Sequence, residues 1–222
     1  MNNRLSRQRS GFTLVELLVV IGVIVVLAAL IFPMSRRFLE ISNRNACMTN
    51  MKRVGQLITV YAADNAGSLL PALQFYSASK TSGNRAWFHY LVEGNYLPKE
   101  LWVDKRNGVM SCPSRTTPPF LEKDEKKFFD GVHFGMNIYP GFDNTIIPGQ
   151  PMYKMSNIAR PSKTLLLGES DGRYAVYPKM TNRRLMVYPH DNGCNLFFAD
   201  GHSEYAKKDL PEPTAEESYP FY

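Results

Sequence analysis

Two groups of residues in this 222-residue chain have the types and spacing to do chemistry. The first is a lone carboxylate, Glu16, inside the run Phe12–Phe32, where Thr13 is the only other clearly polar side chain. A carboxylate in an apolar span costs on the order of 3 kcal/mol on insertion scales, so it is retained where it has a partner or a function. The second group lies near the C-terminus: His190, Asp191, Asp200 and His202. Two imidazoles and two carboxylates form a ligand set for a divalent metal, provided that a strand at Leu185–Tyr188 lies beside a hairpin over 195–206. No compact zinc spacing such as H-E-x-x-H or C-x-x-C accompanies them. Asp200-Gly201 has its own structural reason, a two-residue I′ turn with positive φ at both positions. His190 then needs only backbone groups of that turn as partners. The structural reading takes precedence, and no metal or cofactor is assigned.

The elements that position Glu16 are plain. Residues 1–11 are short and basic, with Arg4, Arg7 and Arg9 and no acid. The apolar run that follows is long enough, at about 1.5 Å per residue, to cross a bilayer core of about 30 Å. No other stretch approaches that length, so a single span is expected. The preceding arginines, against Arg36, Arg37 and Glu40 behind the run, place the N-terminus in the cytoplasm. A cleaved secretory signal would have a shorter apolar region and a small-x-small site after it. Ile31-Phe32-Pro33-Met34 is no such site, and the small residue, Gly11, precedes the run.

Gly11-Phe12-Thr13-Leu14-Val15-Glu16, behind a basic leader and ahead of an apolar helix, resembles the class III signal of type IV prepilins and type II secretion pseudopilins. The resemblance implies that a prepilin peptidase cuts between Gly11 and Phe12 and N-methylates Phe12. It implies that Glu16 pairs with the terminal amine of a neighbouring subunit, and that Pro33 kinks the helix where it leaves the membrane. An ammonium and a carboxylate buried together neutralise each other where either alone is costly.

Beyond Met34, Ile41, Met48, Met51, Val54, Leu57, Ile58 and Tyr61 recur at helical intervals. Asp64-Asn65-Ala66-Gly67 supplies a stop. One helix from Phe12 to about Asp64 would be roughly 80 Å long. Residues 68–222 are dense in turns, and 67–210 are expected to form the globular head, with a short helix over Arg85–Glu93 ended by Gly94-Asn95. Strands are expected at Val132–Met136, Thr164–Gly168, Tyr174–Tyr177, Leu185–Tyr188, Asn195–Ala199 and His202–Ala206. The run 123–127 reads as a solvated loop, and residues 211–222 as a loosely ordered tail. Cys47 lies on the helix and Cys112 before Pro113, both on the oxidising side of the membrane. A bridge between them requires Cα atoms within about 7 Å. Cys194 reads as a small residue in a strand.

One long helix and then a small antiparallel sheet is the order of the pilin fold, an α+β class. His190, nine residues, then Asp200-Gly201 resembles the H-x9-DG segment near the C-terminus of many prepilin-like proteins. Segments around Cys47, Tyr61 and Ser111-Cys112-Pro113-Ser114 resemble the same group. No D-x-D-x-D-G run matches the calcium loop of major pseudopilins.

Composition narrows the remaining classes. Hydrophobic residues at 44% and charged residues at 21% exclude a disordered chain and a polytopic membrane protein. The net charge of +6 draws three of its 26 basic residues from the leader, leaving 23 against 20 acids. That is too little for a nucleic-acid surface, so no nucleic-acid partner is expected, and a DNA-uptake pilin is the weaker variant. There is no G-x-S-x-G, Walker loop or dinucleotide fingerprint. A non-enzymatic filament subunit is expected. The resemblance implies the prepilin peptidase, other pilin or pseudopilin subunits, an inner-membrane assembly platform and, before assembly, membrane lipid as partners. The rival is a signal-anchored periplasmic metal protein or hydrolase using His190, Asp200 and His202.

Overall fold

The computed structural model describes residues 12–74, 85–98, 108–115, 132–137, 154–170, 175–176 and 186–208. The leader 1–11 with Gly11, the loop 123–127 and the tail 211–222 lie outside the described residues. Two compact units are distinguished, one ending at Leu39 and one beginning at Glu40.

The first helix, α1, covers Leu14–Asp64 and is assigned without a break through position 33. In the first unit its large apolar side chains, Leu14 through Leu39, are exposed, and none lies in the hydrophobic core. It is the one helix among the described residues long and apolar enough to cross a membrane. The expected stop at 64–67 is formed by two left-handed residues, Ala66 at φ 54° and Gly67 at φ 79°. The Gly67 N–H then donates back to Ala62 O at 2.7 Å, which satisfies a helix-end carbonyl.

In the second unit α1 buries one stripe: Cys47, Met51, Val54, Ile58 and Ala62. The predicted stripe was rotated by part of a turn, because Ile41 is exposed and Met48, Leu57 and Tyr61 are half-buried. Small residues explain the difference. Cys47, Gly55 and Ala62 let other chain segments approach the helix, so the bulky positions beside them fall at the edge of the contact.

Among the described residues the head contains a two-stranded ribbon and a five-stranded sheet. Strands β1 (Leu73–Gln74) and β2 (Arg85–Ala86) pair antiparallel. Helix α2 follows at Trp87–Glu93, two residues later than predicted, because Ala86 is extended at φ −90°, ψ 163°. The His89 Nδ1 accepts the Ala86 N–H at 3.1 Å and closes that helix start. At its end Asn95, not Gly94, takes the left-handed φ of 58°.

The larger sheet has the order β5-β3-β4-β6-β7. It comprises β3 (Phe134–Asn137), β4 (Leu165–Glu169), β5 (Ala175–Val176), β6 (Gly193–Phe198) and β7 (Ser203–Lys207). Strands β3, β4, β6 and β7 are antiparallel neighbours, whereas β5 is a two-residue parallel edge on β3. Of the expected strand at Leu185–Tyr188, Leu185 lies outside the described residues, and residues 186–188 form one bridge, Met186 to Ser170. Every residue of β3 and β4 is buried. The core joins the α1 stripe to Trp87, Phe88, Phe134, Met136, Leu167 and Phe197.

Gly55 sits where the fold needs no side chain. A Cβ there would lie 2.3 Å from the Phe197 ring, itself fully buried. Gly55→Val is therefore expected to lower stability by about 1–3 kcal/mol through overpacking. Chemical unfolding of the full chain in detergent checks this, and a stability gain would mean that the ring does not seat against the helix backbone.

Candidate functional site

At the N-terminus the chemistry is local. Thr13 N–H and Oγ1–H both donate to Glu16 Oε2 at 2.8 Å, and Glu16 N–H faces Thr13 Oγ1 at 3.3 Å. This is a capping box, in which the first and fourth residues of the helix start satisfy each other's orphan groups. Phe12 precedes it and is 79% exposed. The T-x-x-E spacing of Thr13 and Glu16 is itself a capping signal in the sequence.

The head holds a second group of residues, and it is not the predicted one. Cys47, Cys112, Glu169 and His190 are all buried, and one ligating atom from each lies within 4.8 Å of the others. Cys47 Sγ–H donates to Glu169 Oε1 at 2.6 Å. His190 Nε2 is 2.8 Å from the same oxygen and 3.4 Å from Cys112 Sγ. Both cysteines are free thiols. The two residues weighed for a bridge are thus brought together without one.

Each member comes from a different element. Cys47 lies on the buried stripe of α1. Glu169 ends β4, where Asn195 N–H of β6 donates to its Oε2 at 2.8 Å. Cys112 is held by its own N–H, which donates to His133 Nδ1 at 2.7 Å. The loop is further pinned where Arg115 donates to Ser170 O. His190 opens a tight turn in which Asp191 and Asn192 have φ of 46° and 56°. His190 and Gly193 exchange backbone bonds of 3.1 and 2.8 Å across it. Two positive φ values closed in this way make the I′ turn, so it lies at Asp191-Asn192 and not at Asp200-Gly201. Tyr205 Oη–H donates to His190 O at 2.6 Å and secures the turn from β7. Ser114 Oγ lies 3.2 Å from His190 Nδ1.

Burial and neighbours set the protonation of the cluster. Burial alone would lower the His190 pKa, but its hydrogen bonds to Cys112 and Glu169 and the Glu169 charge outweigh that and raise it to about 9. Cys112 is lowered to about 7, first by its interaction with the Cys47 thiol and then by His190, against its own burial. Burial, then the bond to Cys112, pushes the Cys47 thiol up.

The predicted set of His190, Asp191, Asp200 and His202 does not assemble. His190 lies at one end of β6 and Asp200 with His202 at the other, roughly 16 Å along a strand of this length. Asp200 and His202 pair with each other at the surface, Oδ1 to Nδ1 at 2.5 Å. Their loop is three residues long. Gly201 N–H donates to Phe198 O, Phe198 N–H donates to His202 O, and Gly201 alone has positive φ, 91°. That is a type I turn with a glycine bulge, for which Asp-Gly is equally suited. Glu169 was missed. Its only signal was a carboxylate at the end of the apolar run Leu165-Leu166-Leu167-Gly168, a position where a fully buried acid requires partners.

The class that fold and N-terminus define is a pilin-like α+β protein: a long apolar helix followed by a small, largely antiparallel sheet. Its N-terminus carries a prepilin-type signal, since residues 6–32 match the family model described as the prokaryotic N-terminal methylation motif. The match covers most of the leader and the apolar run, stops before the head, and is consistent with the type IV prepilin and pseudopilin family. No curated protein and no solved structure matches the chain.

Proposed function

We propose that this chain is a structural, non-enzymatic subunit of a type II secretion pseudopilus or a related type IV pilus-like filament. The observation that carries the reading is the methylation-motif match over the run Phe12–Phe32, whose apolar side chains are exposed and whose one carboxylate is Glu16. So large an apolar surface requires lipid or other helices to cover it. In this reading the subunit waits in the inner membrane, N-terminus cytoplasmic and head periplasmic. A prepilin peptidase removes residues 1–11 and methylates Phe12. The helices then pack in a filament core on an inner-membrane platform, with Glu16 facing the Phe12 amine of a neighbour. Pro33 allows the helix to bend at the membrane boundary.

Co-expression with a prepilin peptidase tests the first step. Intact mass and N-terminal analysis are expected to find residues 1–11 lost and Phe12 carrying one methyl group. Gly11→Val is expected to block cleavage, because the peptidase must accommodate this residue beside the scissile bond. An unprocessed wild-type chain, or cleavage after the apolar run, would overturn the reading.

A further inference from the structure

We infer that the head binds one Zn2+ ion through Cys47 Sγ, Cys112 Sγ, Glu169 Oε1 and His190 Nε2, as a closed structural site. Tetrahedral zinc with bonds of 2.0–2.3 Å places its ligand atoms about 3.3–3.8 Å apart. The separations here, 2.6, 2.8 and 3.4 Å with none above 4.8 Å, bracket that edge. Side-chain shifts of about 1 Å would seat the ion.

The atoms facing away from the centre are already satisfied. Glu169 Oε2 accepts the Asn195 N–H, and His190 Nδ1 faces Ser114 Oγ, so carboxylate and ring are oriented with the remaining oxygen and nitrogen pointing inward. Outer partners of this kind are how metal-ligating histidines and carboxylates are held. Without an ion the buried Glu169 Oε1 relies on a thiol, a weak donor, and on one imidazole N–H that also faces Cys112. Two sulfurs, one nitrogen and one oxygen favour zinc over magnesium, calcium or manganese, which take oxygen sets. All four ligands are buried and none leaves a side open to solvent, which marks a structural rather than a catalytic centre. The ligands come from α1, the Cys112 loop, β4 and the I′ turn, so one ion cross-links four segments far apart in sequence. This also gives His190 of the H-x9-DG segment a role.

The test uses the full chain in detergent, purified without chelator. Elemental analysis is expected to find about one zinc per chain, removed by a strong chelator and restored by zinc alone. Cobalt(II) added to the stripped protein is expected to give the intense visible bands of tetrahedral thiolate coordination. Ser114→Ala, which removes an outer partner, is expected to weaken zinc binding about 10–100-fold. Cys194→Ser, a buried thiol outside the cluster, is expected to keep one zinc. Metal-free protein with Cys47 and Cys112 joined, two hydrogens lighter by mass, would overturn the inference. So would metal-free protein with both thiols free and no cobalt bands. The cobalt spectrum of the wild-type chain decides the matter even where a variant fails to fold, and it is independent of leader cleavage.

Discussion

Glu16→Ala is expected to leave the chain processed, methylated and membrane-bound, while the yield of sheared filaments falls to background. The physical reason is the burial of charge. In the single chain Glu16 Oε2 is held by Thr13 N–H and Oγ1–H, and the side chain is exposed. In a filament core that solvent is gone, and the carboxylate and the Phe12 amine are each costly unless they meet. Alanine removes one partner and strands the other. The capping box offers a rival cause, since losing a cap costs about 0.5–2 kcal/mol at a helix start. Glu16→Gln separates the two, because glutamine serves at the fourth position of a capping box but carries no charge. Filament yield should stay at background with Gln. Restored yield would show that the cap, and not the ion pair, is what assembly needs.

The second large effect belongs to the head. Glu169→Ala is expected to lower stability by about 3–5 kcal/mol, the usual cost of breaking a buried ion pair from one side. Three groups lose a partner at once: His190 Nε2, the Cys47 thiol and the Asn195 N–H, all buried. Unfolding of the full chain by denaturant, with a strong chelator present in both samples, isolates this term from any metal. Glu204→Ala, on the exposed face of β7, is expected to stay within about 0.5 kcal/mol. A loss below about 1 kcal/mol for Glu169→Ala would mean that the carboxylate is not an organising partner of the cluster.

Features written in contiguous residues were legible without a structure. The apolar run, the isolated Glu16, the basic leader and the helix stop at 64–67 each depend on neighbours a few positions away. Most strands were found within two residues for the same reason. The turns were not placed as well. Asp200-Gly201 is the stronger local signal for an I′ turn, yet that turn formed at Asp191-Asn192. Turn type follows the register of the strands it joins, and here the Tyr205 hydroxyl of β7 and the Lys208 N–H just beyond it donate to the carbonyls of Asp191 and Asn192 and hold them in place.

What the sequence by itself determined is the N-terminal half of the protein's chemistry: a membrane-length helix with one carboxylate and a processing signal in front of it. Only the tertiary structure decided the cluster in the head. Cys47 and Glu169 are 122 positions apart, Cys112 and His190 are 78. No spacing rule connects them, because their separation along the chain is set by intervening loops and not by the period of any helix or strand. They meet because the buried stripe of α1, the end of β4 and the turn before β6 pack against one core, and a buried carboxylate there has to find its partners among whatever those elements present.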